Sequence, residues 1–576
     1  MAKKVVAGLT ASVLVAIFCA GAIIMTLVHS TKKAGDNFPS SIHTTSKAMV
    51  SKSVCSTALH RESCELTLSN LSPKRSSVGD ARFEASFAQM PSSKTEIFKN
   101  FIYVTLSELE KAVKRSADVA NGKVDERAAA AKNDCKKLLT DALQYAASAV
   151  KLLGDKDIES LAAESDNINL MVTAAMTYMD NCVDGFEDST LKAEMDGILS
   201  NATVMGSNAL GVINSISSSV VKTQSQQLTS RRLLGFDVDQ HGYPSWLSAG
   251  ERKLLQDNSS GKPNAVVAQD GSGNYKTITD AIKSIPSGNS GRYVIYVKAG
   301  VYDEKVQVPR DKEGVTMYGD GVDKTIVTGN PSDSAGVTKL QAVFAVDGQK
   351  FIAKNMGIRN TAGPKGWPAV AVRTSAEYVT FYNCKIDGYQ DTLYTHSGRQ
   401  LFRDCTISGT IDFIFGNSAA VFQNCKIVVN MPQHGAQNVI TANGRTDPNM
   451  KTGIVLHNCE ITHDKAFEAN RLKTKNYLGR PWKIYSRVVI MESKIGDLID
   501  PTGWMSWRNT KTGQDTVYYA EYGNTGPGAD TTKRVQWPGF HILSKSDVTQ
   551  YTVASFINNN NWLTSTGVPS VAGLMN

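Results

Sequence analysis

The chain of 576 residues has nine cysteines but no Cys-x-x-Cys pair, so the usual spacing of a zinc site is missing. A strong charge of one sign is missing too. Lys plus Arg exceeds Asp plus Glu by 8, and the excess is uneven: 34 basic and 27 acidic residues lie from Gln256 onward, which leaves +1 for the first 255. A balance this mild suits a polyanionic partner, is equally common without one, and does not call for nucleic acid. Charge is absent altogether from residues 5–28, which are mostly apolar and are interrupted only by Thr10, Ser12 and Thr26. That run, flanked by Lys3, Lys4, Lys32 and Lys33, can span a bilayer and exceeds the apolar core of a cleaved signal. Residues 1–33 are therefore expected to be a signal anchor, with a plain signal peptide as the rival; lysines on both flanks leave its orientation open. Either way the chain is exported.

The cysteines fit that compartment. Cys19 lies in the apolar run, and the other eight divide into Cys55, Cys64, Cys135 and Cys182, then Cys384, Cys405, Cys425 and Cys459. Asn70, Asn201 and Asn258 head Asn-x-Ser/Thr triplets, which are glycosylation candidates in an exported chain.

Residues 50–220 read as helical. Leu139, Leu143, Ala146, Val150 and Leu153 recur at three- and four-residue steps before Gly154, and Phe98, Phe101, Ile102, Leu109 and Val113 mark a second amphipathic stretch. Few β-branched alternations intervene, so a four-helix bundle pinned by disulfides is expected. Residues 221–255 form a turn-rich linker with RRLL at 231–234 and RKLL at 252–255. A duplicated basic pair between two unlike halves is a place for a processing protease to cut, so Arg231, Arg232, Arg252 and Lys253 are candidate processing residues.

Residues 256–576 change character. Short strand-like runs such as YVIYV at 293–297 and VTMYG at 315–319 are punctuated by glycine, and a motif then recurs: KNMGI, YNCKI, RDCTI, QNCKI, HNCEI and MESKI, ending at Ile358, Ile386, Ile407, Ile427, Ile461 and Ile495. The steps of 28, 21, 20, 34 and 34 residues describe strand-rich units without helices, which implies a parallel β-helix with loops of variable length. Cys384 to Cys405 spans 21 residues, and so does Asp391 to Asp412. If the cysteines stack on successive coils, the aspartates stack as well, about 4.8 Å apart in the strand-to-strand direction. Two carboxyl groups that close divide into one neutral and one charged, hence an acid and a nucleophile. A single Asp on such a turn more often caps backbone; two in register point to chemistry.

GYQDTLY at 388–394, GTIDFIFG at 409–416, YLGRPW at 477–482 and GVYDE at 300–304 resemble the four signature segments of plant pectin methylesterases, and the likeness runs from Ala265 to Leu574 through YYAEYGNTGPGA and RVQWPGF. Residues 50–220, with four cysteines and MDNCVDGF, resemble the pectin methylesterase inhibitor domain that precedes the enzyme in many precursors. The resemblance implies a right-handed parallel β-helix that hydrolyses methyl esters of homogalacturonan, the pectin backbone, in the cell wall, with no metal and no organic cofactor. It makes Asp412 the nucleophile, Asp391 the proton donor and later the base, Gln390 the oxyanion donor, Arg480 the partner of Asp412, and Trp482 and Thr338 substrate contacts. Lys339 and Leu340, beside Thr338, depart from the family's aromatic pattern. Pro368 stands where the family has an oxyanion-assisting glutamine, and proline has no such donor. The implied partners are pectin, the chain's own inhibitor-like domain, a processing protease and separate inhibitor proteins of that family.

The inhibitor-domain pattern pairs Cys55 with Cys64 and Cys135 with Cys182. Among the late cysteines, stacking on adjacent coils favours Cys405 with Cys425, and Cys425 with Cys459 competes. Rival readings either keep the β-helix and change the chemistry or set the chemistry aside. An inverting glycosidase needs its carboxyls roughly 6.5–9.5 Å apart, and a calcium-dependent lyase needs an acidic cluster that Asp391 lacks. A pectin-binding homologue impaired by Pro368, or an inhibitor-type interaction protein, is the non-enzymatic alternative.

Overall fold

The computed structural model describes residues 52–70, 94–119, 125–227, 263–289, 291–558 and 561–575. The apolar run, Cys19, both basic motifs and Asn258 lie outside them. Among the described residues no helix is long and apolar enough to cross a membrane.

Among the described residues of the first half, five helices of ten residues or more follow from the three- and four-residue apolar steps: α1 (Arg61–Asn70), α2 (Lys94–Ser116), α3 (Glu126–Leu153), α4 (Ser165–Asp184) and α5 (Ser189–Gln227). The last four pack as a bundle. α3 starts where the Asp125 carboxylate accepts a hydrogen bond from the Ala128 N–H at 2.7 Å and ends at Gly154. Its buried seam runs through Leu138, Ala142, Tyr145 and Ala149, while Leu143 and Val150 of the expected stripe are only half-buried. The shift arises because α3 buries two faces, one in the bundle and one against the strands, where the Tyr145 hydroxyl donates to the Ser375 carbonyl at 3.3 Å. Disulfides Cys55–Cys64 and Cys135–Cys182 are both formed, the second tying α3 to α4.

From Ala265 the chain winds into a right-handed parallel β-helix of three sheets with eleven, eight and seven strands. The recurring motif is its corner. Ile358, Ile386, Ile407, Ile427, Ile461 and Ile495 pair with one another in unbroken register along the eight-stranded sheet, forming an inward row of buried side chains. Ahead of each, Asn355, Asn383, Asp404, Asn424, Asn458 and Glu492 hold φ between +49° and +57°. Asn and Asp tolerate that left-handed region best among residues with a side chain, so five of six corners carry them. The same stacking continues inside, where Phe381 lies over Phe402 at 5.2 Å and Phe402 over Phe422 at 4.6 Å between ring centroids.

The expected Cys405–Cys425 disulfide is not formed: Cys384, Cys405, Cys425 and Cys459 are all free and buried. They do stack on successive coils, but stacked residues of parallel strands leave the backbone in one direction, which holds their sulfurs side by side at the coil spacing. Each thiol turns to a carbonyl instead: Cys405 Sγ donates to Phe381 O at 3.4 Å, Cys425 Sγ to Phe402 O and Cys459 Sγ to Phe422 O, both at 3.3 Å. Alkylation of the denatured chain without reductant, followed by peptide mass mapping, is expected to label these four cysteines and to leave Cys55, Cys64, Cys135 and Cys182 unlabelled.

Candidate active site

The seven-stranded sheet contains the strands Leu393–Ser397 and Ile414–Gly416, paired as Leu393 with Ile414 and Tyr394 with Phe415. Asp391 and Asp412 each lie two residues ahead of these strands, so they occupy equivalent places one coil apart, and the Asp391 N–H donates to the Ile411 carbonyl at 2.9 Å. Both aspartates sit in left-handed backbone, with φ of +60° and +51°, and are 3% and 6% exposed. Backbone strain and buried carboxyl groups at one corner are the usual marks of a reactive site.

Arg480, just beyond the strand Asn476–Gly479, holds Asp412 in a two-pronged bond: Nε to Oδ1 at 2.8 Å and Nη2 to Oδ2 at 2.7 Å. The guanidinium lies 4.6 Å from the centre of the Trp507 ring, which fixes its plane. Asp391 has a different environment. Burial pushes its carboxyl up to about 7, and the neighbouring Asp412 charge acts in the same direction, while Lys339, whose Nζ is 3.7 Å from Asp391 Oδ2, and Arg480 pull against it. One carboxyl is thus oriented by a fixed cation and the other is poised to hold a proton near neutrality. This is the division of labour that acid and nucleophile require.

A cleft of about 530 Å³ opens over this corner, lined by Trp367, Gln390, Thr410, Gln437, Arg480 and Met505 among others. Gln390 therefore faces the same space as Arg480. Trp482 stands beside it, edge-on to Tyr394 at 6.4 Å and Phe415 at 6.0 Å, and those two rings stack at 4.3 Å. Thr338 is half-buried, with its hydroxyl turned inward near Asp134 of α3. Pro368 lies on the loop at the rim, where its carbonyl accepts from the Asp333 N–H at 3.0 Å; its ring offers no donor. No group of three His, Cys, Asp or Glu among the described residues could hold a metal ion.

Several cleft residues escaped the sequence reading. Tyr394 and Phe415 each follow an aspartate by three residues, so the 21-residue spacing that aligned the carboxyls also aligned these rings. Trp507 gave no local signal. Trp367, 55% exposed, has φ of +25°, and its indole N–H donates to Gln433 Oε1 at 3.1 Å, an orientation that nothing in the string KGWP announces.

The helical half reaches the same groove. Asn181 of α4 donates from Nδ2 to the Tyr394 hydroxyl at 2.6 Å and touches His396 Nε2 at 2.8 Å, while the Tyr178 hydroxyl bonds Ser397 Oγ at 2.7 Å. Asp180 and Asp184 clasp the Lys483 ammonium at 2.9 and 2.7 Å. Further along, Lys137 of α3 pairs with Asp347 at 3.4 Å.

A pectinesterase family model matches residues 264–560, and a plant invertase/pectin methylesterase inhibitor model matches residues 50–212. Putative pectinesterase/pectinesterase inhibitor 45 of Arabidopsis thaliana is 40% identical over 546 residues, covering 93% of this chain and 87% of its own. Pectinesterase 1 of Citrus sinensis is 38% identical over 557 residues, covering 95% of this chain and 91% of its own. Among solved structures, pectin methylesterase from carrot superposes with a TM-score of 0.54 and 44% identity, over 55% of this chain and 100% of the carrot chain. With the stacked aspartates and the Arg480 fork in one cleft of the parallel β-helix, and an inhibitor-family helical domain ahead of it, the chain belongs to the pectinesterase family.

Proposed function

We propose that this chain hydrolyses the methyl esters of homogalacturonan to pectate and methanol, with Asp412 as nucleophile and Asp391 as acid and then base. The observation that carries the reading is the pair of carboxyls one coil apart, one gripped by Arg480 and the other raised by burial. An Asp412 oxygen attacks the ester carbonyl while Arg480 keeps the carboxylate in line, and the amide of Gln390 donates to the oxyanion that develops. Asp391, in its acid form, gives its proton to the departing methoxide. The acyl-enzyme is then opened by water, whose proton Asp391, now a carboxylate, accepts. Trp482 offers a flat apolar face to a sugar ring, and Thr338 is the other expected substrate contact. One-coil stacking leaves too little room for the water that an inverting glycosidase must admit between its carboxyls.

A methanol assay tests this directly. The Asp412→Asn variant should lose methanol release from methylated pectin with its fold intact by circular dichroism; undiminished release would end the assignment. The first step needs Asp391 protonated. Because that carboxyl is raised to about 7, kcat/KM should decline as the pH climbs through that region, and a profile flat from pH 5 to 9 would contradict the role.

Pro368 leaves one oxyanion donor fewer than the family pattern. Gln437, which is exposed, lines the same cleft as Gln390. Loss of such a donor typically costs about 2.7–4 kcal/mol, so Pro368→Gln should raise kcat, by up to roughly 10²-fold if the new amide reaches the oxyanion. A kcat that does not rise would mean the present donors already suffice. The assembly of both aspartates, Gln390 and Arg480 at one corner speaks against a purely vestigial site.

The helical half acts as a built-in obstruction. α4 covers Tyr394 and Lys483 at one end of the groove while the cleft over Gln390 stays open, so a polymer is hindered from lying along it. Cuts by a processing protease at Arg231–Arg232 or Arg252–Lys253 in the secretory route would release the β-helix half to the cell wall. Separate inhibitor proteins of the same helical family would dock on the same face. Cleaved protein should release methanol from pectin faster than the intact chain; equal rates would refute the obstruction.

A further inference from the structure

We propose that Lys339 is a positioning residue for Asp391, the cation that receives the negative charge when the reaction moves it from one aspartate to the other. The inference rests on the esterase reading and gives a role to a side chain that the reaction otherwise leaves idle.

The bonds made and broken call for a second cation. As an Asp412 oxygen bonds to the ester carbon and the bond to methoxide breaks, Asp412 becomes half of an anhydride and loses its charge. The proton that turns methoxide into methanol comes from Asp391, which is left as a carboxylate. When water opens the anhydride, one of its protons goes to Asp391, the carbon–oxygen bond to Asp412 breaks, and the charge returns to Asp412. The newly formed sugar acid then sheds its own proton to solvent. One negative charge thus crosses from one coil to the next and back in every turnover.

Each end of that path has its own cation. Arg480 holds Asp412 with Nε at 2.8 Å and Nη2 at 2.7 Å. At the other end, Lys339 Nζ lies 3.7 Å from Asp391 Oδ2. The charged groups that face Asp391 are Lys339, from the segment ahead of the strand Phe344–Val346, Asp412 from the next coil, and Arg480. Of the two cations, only Lys339 is not already forked onto a carboxylate. Its side chain is 49% exposed, and its ammonium lies 5.6 Å from the centre of the Trp482 ring, so water and the ring face accommodate it while Asp391 is neutral.

A loose contact suits this task better than a tight one. A fork like that on Asp412 would favour the ionised form of Asp391 from the outset and leave no proton for methoxide. With no cation at all, the new carboxylate would be buried and unpaired, which is costly. A half-exposed ammonium on a flexible stem meets both demands: it is drawn in when the charge arrives and lets go when the proton returns.

The test compares the full chain with Lys339→Met and Lys339→Arg, reading methanol release from methylated pectin across the neutral pH range. Without the cation Asp391 is a weaker acid, so in Lys339→Met the fall of kcat/KM with rising pH should move upward by about half a pH unit, the size of one partly exposed ion pair. Lys339→Arg should keep the fall where the parent chain has it. Added salt should bring the parent curve toward that of Lys339→Met, because the pair is partly exposed. A uniform loss of rate at every pH, with the fall unmoved, would make Lys339 merely structural and overturn the proposal. A second arm needs no turnover: the carbonyl stretch of protonated Asp391, identified by its disappearance in Asp391→Asn, is followed by infrared difference titration. A higher midpoint in Lys339→Met than in the parent supports the role even if neither protein releases methanol, in which case the esterase reading alone fails. An unchanged or lower midpoint overturns the proposal. Lys339→Gln, equally uncharged, serves both measurements if Lys339→Met does not fold.

Discussion

In-register stacking of parallel coils is the constraint on which the remaining structure depends. A strand-to-strand step of about 4.8 Å repeats whatever a coil presents, so an isoleucine makes a row, a phenylalanine makes a stack and an aspartate at one corner places the next aspartate beside it. The inner rows bury apolar surface continuously from Ile358 to Ile495 and make the scaffold stiff. That stiffness is what allows two carboxyls to be held against each other. In a softer frame Asp391 and Asp412 would separate or take up water, and burial would no longer hold a proton on one of them.

The corner is a conflict that the fold does not relax. Asp391 carries a left-handed backbone, near-complete burial and a like charge next door, each unfavourable alone. Arg480 resolves half of it by gripping Asp412, and Trp507 restrains Arg480 in turn. Asp391 receives only the longer contact from Lys339. Burial and the neighbouring Asp412 charge therefore prevail at Asp391, where the cation is a point charge on a flexible stem and not a fixed fork.

Much of this was legible from residue order because the β-helix writes its register into spacing. The Asn-Cys-x-Ile motif survived loops of different length because those loops project from the turns and leave the rows undisturbed, and the 21-residue step carried the aspartates with it. Spacing says nothing about side-chain direction, and there the reading failed: Cys405 and Cys425 are neighbours whose thiols point to carbonyls. The seam of α3 was displaced for a related reason. Tyr145 faces a second body packed against the helix, and local periodicity registers only that a face is apolar. Trp367, Trp507 and the grip of α4 on Lys483 depend on segments far apart in the chain, so no window of sequence contains them.

The helical half also changes what burial means at the groove. His396, at the join of the two halves, is pushed well below the ordinary imidazole range, first by burial and then by the charges of Arg373 and Lys137, with Asp347 acting in the opposite direction. Tyr178, its edge-on neighbour at 4.7 Å, and Asn181 come from α4, so much of the cover belongs to the helical half. Tyr394, stacked on the other side of His396 at 4.5 Å, continues into Phe415 and then to Trp482. While α4 lies on this row, asparagine and aspartate side chains satisfy its polar ends, so the helical half adheres through the hydroxyl, imidazole and ammonium that flank an aromatic surface.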